Sequence, residues 1–300
     1  MTNRCPVCDR EHETMICPDC GFDHSLHFEY LPTLAPIPEN TKAVSALLKK
    51  SAAPEPQTRP ESTYEGEIED GKPHGFGVMT YWNGSIYRGQ LSNGRQHGQG
   101  RMDFAQGNIY DGHWENGSPS GYGKMTYANH IYYKFYEGQW KNGTHHGHGR
   151  MIYASGNVYE GQWQEGRVEG QGRMIYRNGD VYEGQWQNNQ PEGRGKMTLV
   201  SGNTYEGRRS NNRWDSSGTI RYANGNVYEG SWSTTQWCWE CTPNGYGRMT
   251  FADGSVYVGT FKTDSQGKFI GGAGTYRKDG KMQSVQWKDG KFHINRWFFF

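Results

Sequence analysis

Between Tyr159 and Trp163 the chain alternates: Tyr159, Gly161 and Trp163 fall on one side of a period of two, Glu160 and Gln162 on the other. A strand with one buried face has this pattern. Glu165 and Gly166 follow as a turn, and a second run passes through Gly172, Arg173, Met174, Ile175 and Tyr176 to Asn178-Gly179. Asn-Gly between alternating segments predicts a hairpin with a type I′ turn, which needs positive φ at both central residues. The unit is two antiparallel strands, and it recurs. Tyr64, Tyr87, Tyr110, Tyr136, Tyr159, Tyr182, Tyr205, Tyr228 and Tyr257 head nine copies, 23 residues apart except for steps of 26 and 29. A fixed period in the low twenties marks a linear array whose units bury their apolar faces on their neighbours.

Alignment of the copies separates columns. Four residues after the tyrosine stand Ile68, Leu91, Trp114, Trp140, Trp163, Trp186, Trp232 and Phe261, with Arg209 breaking a column expected to be buried and apolar. Fifteen after it come Met79, Met102, Met125, Met151, Met174 and Met197, then Ile220, and Met249 once an insertion is allowed for. Glycine doublets such as Gly147 and Gly149 are expected to bring backbone close to an aromatic ring. An acidic column (Glu160, Glu183, Glu206) and a basic one (Arg150, Arg173, Lys196) suit a solvated, mutually compensating face better than paired catalytic carboxylates.

The YEGxW, NG and GxGxM/T-Y pattern resembles the MORN repeat (membrane occupation and recognition nexus) over residues 64 to about 275. The resemblance implies hairpins piled into a long twisted sheet and a role in protein binding, with helical or extended segments captured in its groove. The expected fold class is all-β, an elongated array of stacked antiparallel β-hairpins preceded by a small zinc ribbon.

That ribbon is read from Cys5-Pro6-Val7-Cys8 and Cys17-Pro18-Asp19-Cys20. Four soft thiolates in two CxxC pairs suit tetrahedral zinc, so Cys5, Cys8, Cys17 and Cys20 are the expected ligands of one structural Zn²⁺. A mixed site using His12, His24 or His27 is the alternative. The expected organisation is a zinc module at 1–30, a proline-rich linker with a short helix at 31–62, nine repeats at 63–275, and a degenerate repeat with an aromatic cap at 276–300. Trp297 to Phe300 would close the last hairpin or serve as a docking peptide.

Composition then narrows function. The 32 basic and 31 acidic side chains leave a net charge of +1, and residues 1–30 are acidic, which disfavours nucleic acid. The 20 tyrosines, 11 tryptophans and 12 phenylalanines supply the burial that scarce aliphatics do not. No apolar run reaches the ~20 residues of a membrane span and no signal-peptide core is evident, so a soluble cytoplasmic protein is expected.

Departures from the repeat are the remaining candidates. The third unit is lengthened around Ile131, Tyr132, Tyr133, Lys134 and Phe135. The seventh has Arg209 and Ser216 at conserved-type columns and is expected to be weak or bent near 208–218. The eighth carries an insertion from Thr234 to Pro243, a candidate contact loop whose Cys238 and Cys241 read as incidental surface thiols. His145, His146 and His148 look like ligands, but His74 and His97 share the column of His146, which favours a structural or surface reading. No GxSxG, HExxH, GxxxxGK[ST] or GxGxxG is present. The chain is therefore read as a non-enzymatic adaptor whose aromatic and methionine-lined face receives another protein, with phospholipid association as the alternative. Were the rings fully self-stacked, the polar face, the Cys238 loop or the tail would have to bind instead.

Overall fold

The computed structural model describes residues 3–4, 11–12, 61–211, 213–233, 241–263, 269–288 and 291–294. From Thr63–Glu69 and Lys72–Thr80 to Lys281–Lys288 and Lys291–Ile294, each strand pairs antiparallel with the next in chain order. No register among the described residues joins the first of these strands to the last, so the sheet is an open ribbon of stacked hairpins. A separate pair sets Asn3–Arg4 against Glu11–His12. The zinc-module cysteines, the linker and Trp297 to Phe300 lie outside the described residues.

The hairpin of Val158–Gln164 and Arg167–Ile175 shows how one unit works. Tyr159 pairs with Met174, Glu160 with Arg173 and Gly161 with Gly172, and then the register jumps to Trp163 with Val168. The extra residues on the second strand form a bulge containing Gly170, at φ +65°. Gln162 fills the gap: its Oε1 accepts from the backbone N–H of Gln171 at 2.7 Å, as Gln90, Gln139 and Gln185 do for Gln99, His148 and Arg194. The second glycine of the doublet has another cause. The ring of Tyr159 lies on Gly172, where a Cβ would stand 2.2 Å from the phenolic oxygen. The buried phenol donates to the Gln162 carbonyl at 3.1 Å, the partner that such a hydroxyl requires.

The two turns exchange the roles read from sequence. Positive φ at both central residues occurs at Glu165-Gly166, inside the unit, and at Asn93-Gly94, Asn116-Gly117 and Asn142-Gly143. At Asn178-Gly179 only the glycine is left-handed. There the Gly179 N–H donates to the Tyr176 carbonyl and the Tyr176 N–H to the Asp180 carbonyl, both at 2.9 Å, so a three-residue loop replaces the type I′ turn. This loop offers side chains to its neighbour: Asn157 Oδ1 accepts from Arg177 N–H at 2.9 Å, and Asp180 Oδ1 from Val200 N–H at 2.8 Å. The hairpins are thereby linked along one edge in addition to the backbone ladder.

Burial divides the two faces. The repeat-heading tyrosines from Tyr87 to Tyr257 and the tryptophans from Trp114 to Trp232 are buried, as are Met102, Met151, Met174 and Met197. Glu160, Glu183 and Glu206 lie on the other face, reached by Arg150 at 2.8 Å, Arg173 at 3.2 Å and Lys196 at 3.9 Å from the preceding unit. Such exposed pairs are each worth about 0.2–1 kcal/mol. Ile68 departs from its column, at 66% exposed, because among the described residues the first hairpin has no preceding unit to cover.

The seventh unit keeps its layer by moving an indole across the strand pair. Arg209 stands opposite Trp214, which is buried. The Arg209 guanidinium lies over the rings of Trp214 at 5.1 Å and Tyr182 at 5.5 Å. The joint to Val227–Trp232 is shorter, with five register pairs where Gly170 to Ile175 makes six with the following strand.

Gly172→Ala is expected to destabilise the array by roughly 1–3 kcal/mol, because the methyl meets a close-packed ring. Gly166→Ala, at φ +78° with open space around it, should cost only about 1 kcal/mol. Urea unfolding followed by tryptophan fluorescence checks the order of the two; equal losses would refute the ring-contact account.

Candidate functional site

The aromatic face closes on itself along most of its length and opens around the lengthened third unit. The strand Tyr133–Lys141 has 9 residues where Val158–Gln164 has 7. Its extra length brings Tyr133 opposite Tyr153 through a register irregularity after Ile152. A ring is thus added to a column already holding Tyr127 and Tyr153: Tyr133 lies 5.6 Å from the first at 48° and 5.9 Å from the second at 49°. His130 stacks on it at 4.6 Å. Beside these rings is a cavity of about 370 Å³, lined by Met125, Tyr127, Tyr133, Trp140, Thr144, His145, Tyr153, Trp163 and Asn189, with Gly143 and Gly166.

His145 stands in this cavity where equivalent units carry Pro119, Val168 or Pro191, opposite the tryptophan column. Its ring stacks on Tyr136 at 3.9 Å and meets Trp140 and Trp163 edge-on at 4.7 and 5.2 Å. Its Nε2 lies 3.2 Å from the Tyr127 hydroxyl. Burial lowers the imidazole pKa to about 4 and raises that of the Tyr127 phenol. Both groups are neutral near pH 7, far from the range in which a side chain exchanges protons efficiently.

Elsewhere the expected sites fare differently. The Tyr, Trp and Met columns are packed against one another over most of their length, so the face expected to receive a partner is largely self-covered; among the described residues it stays partly exposed at the cavity and at Tyr64, Met79 and Met249. Cys241 is buried at 2% exposure and is no surface thiol, because it enters the sheet just before Pro243–Thr250; Cys238 lies outside the described residues. His146 and His148 do not join His145 in a ligand set. Among the described residues, no group of three His, Cys, Asp or Glu side chains could hold a metal. The polar face bears isolated rings, Phe76, Tyr122 and Tyr246, all above 60% exposed. The cavity was not foreseen, although its signal was the three extra residues before Tyr136.

Models of the MORN repeat match residues 64–86, 87–109, 110–131, 136–158, 159–181, 182–204, 205–227 and 242–256, more than half of the chain. The chain belongs to the MORN-repeat family. The sixth match contains the Trp186 joint and the third ends where the MORN period is broken by the added residues. Comparison with curated proteins returned no match. Among solved structures, the wild-type TCP10 domain of Danio rerio CPAP in complex with a peptide of Danio rerio STIL is 14% identical, covering 77% of this chain and 97% of its own, with a TM-score of 0.39. The E1021V mutant of the same domain is 13% identical, covering 72% and 96%, with a TM-score of 0.40. Likenesses this distant carry no point about the site of this MORN array.

Replacing His145 by the valine used at the same place in the next unit tests its burial. A folded-state pKa below the unfolded value of 6.5 makes the neutral form the stable one. The resulting stability is complete above pH 6.5 and is lost as pH falls toward about 4. The melting temperature of the wild type should therefore drop more than that of His145→Val between pH 7 and pH 4; identical drops would show that the imidazole is not desolvated.

Proposed function

We propose that this MORN array is a non-enzymatic scaffold that binds another protein through its aromatic face at the third to fifth units. The carrying observation is the cavity formed where Tyr133 joins Tyr127 and Tyr153. Its partly exposed rings are those of Tyr127 and Tyr133, set over the buried Trp140, Trp163 and Tyr153, and aromatic rings in a preformed hollow dominate protein interfaces. The lining supports binding better than reaction: its ionisable groups are phenols and one imidazole, and the His145 and Tyr127 shifts keep both neutral. Full-length protein with Tyr133→Ser and His130→Ser should lose, by at least tenfold, a stoichiometric protein partner captured by the wild type, whereas Tyr122→Ser on the polar face should retain it. Equal recovery by both variants would remove the aromatic face from the reading. Capture of phospholipid vesicles without protein would replace it with membrane association.

We further propose that Cys5, Cys8, Cys17 and Cys20 hold one structural zinc ion. The strand pair of Asn3–Arg4 with Glu11–His12 supports this, because the segment that joins them carries the first cysteine pair. A bound ion would cross-link the two pairs through four thiolates. Elemental analysis of the purified chain should give one zinc per molecule, falling to none in Cys5→Ser with Cys17→Ser. Full retention of zinc by that variant would exclude this ligand set.

A further inference from the structure

The cavity at the third to fifth units has a composition that specifies more than an apolar hole. Its walls include five Tyr and Trp rings and a single aliphatic-type side chain, Met125. No carboxylate, lysine or arginine lines it. Several of the polar atoms that line it are already engaged. The Tyr127 hydroxyl and His145 Nε2 are 3.2 Å apart, the Thr144 hydroxyl donates to the Lys141 carbonyl at 2.8 Å, and Asn189 Oδ1 accepts from the Val168 N–H at 2.8 Å. A primary ammonium would enter with three N–H donors and find no carboxylate to replace its water. A phosphate or carboxylate would find no cation. A cation without N–H donors has neither difficulty, and aromatic walls attract it through the ring quadrupole while its methyl groups fill the apolar space. The volume of about 370 Å³ lies at the small end of ligand pockets, which run from roughly 300 to 1,000 Å³.

We propose that this cavity is a binding site for a quaternary or fully methylated ammonium group. The decisive ring is Tyr133, supplied by the three residues that break the repeat. The site goes beyond the scaffold reading and does not depend on the partner being a protein. Its lining offers nothing to an anion set beside the cation, which favours two carriers: a small alkylammonium such as choline, or the side chain of a trimethylated lysine.

The test uses full-length protein and isothermal titration with choline against 3,3-dimethylbutan-1-ol, which has the same shape without the charge. Choline is expected to bind at least about tenfold more tightly, the effect of one or two favourable cation–ring contacts. Tyr133→Leu should abolish that preference and Tyr133→Phe should keep it, with melting temperatures confirming that both variants fold. Equal binding of alcohol and choline, absence of saturable binding by both choline and a trimethyl-lysine probe, or unchanged preference in Tyr133→Leu would each overturn the proposal. Titration with N-acetyl-trimethyl-lysine amide, with the unmethylated amide as control, identifies the carrier: the tighter of the trimethyl-lysine probe and choline names it.

Discussion

The structure depends on one repeated contact, an indole set edge-on between two tyrosines. Trp114 meets Tyr110 of its own unit at 4.9 Å and Tyr87 of the preceding unit at 5.5 Å. Trp140, Trp163 and Trp186 repeat the arrangement, with every such separation between 5.1 and 5.4 Å. Each indole N–H reaches back to a carbonyl of the preceding hairpin, as Trp140 does to Gly123 at 3.0 Å. A T-shaped pair adds about 0.5–1.5 kcal/mol beyond the area it buries. Because each of these four tryptophans spans a joint, the contact both fills the unit and binds it to its neighbour, adding to the backbone ladder.

This contact dictates the glycines and the glutamine. A tyrosine ring can lie flat on the sheet only where the residues beneath have no side chain, so Gly161 and Gly172 face one another under Tyr159. The strand must then bulge beyond the ring, and Gln162 supplies the acceptor that the displaced N–H of Gln171 lost from the ladder. In the seventh unit Trp232 takes the place of the tyrosine over the glycines: a Cβ on Gly218 would stand 2.3 Å from its ring. Trp214 meanwhile fills the layer from the opposite strand. The layer tolerates a change of strand for an indole better than a loss of its volume.

The two-strand unit, its period, the buried tryptophan and methionine columns and the charge-compensated face were legible because each rests on residue type at fixed spacing. Four things were not. Asn-Gly was read as the two-residue turn because its dipeptide preference is strong, yet Glu165-Gly166 holds that conformation within the unit and Asn178-Gly179 sits in a longer loop. The Gln162 plug was invisible because a polar residue on an exposed strand face looks interchangeable until the bulge is known. Arg209 signalled a weak place, since no single column shows that Trp214 lies directly across from it. Apart from the family pattern, the site itself was hidden for a related reason: its residues are repeat columns, and only their new neighbour distinguishes them.

An array of this kind has little freedom to evolve a site, because every ring on its aromatic face already has a structural duty and every unit is tied to the next. Substituting a column residue costs stability at two joints. Adding residues between columns does not, provided the register recovers, and Tyr136 again pairs with Met151 and Met125 after the insertion. The added ring then stands in an otherwise finished layer with neighbours of fixed position, which is the preorganisation that binding requires. Local irregularity is therefore where specificity can arise in this ribbon, and the regular units serve to hold it rigid.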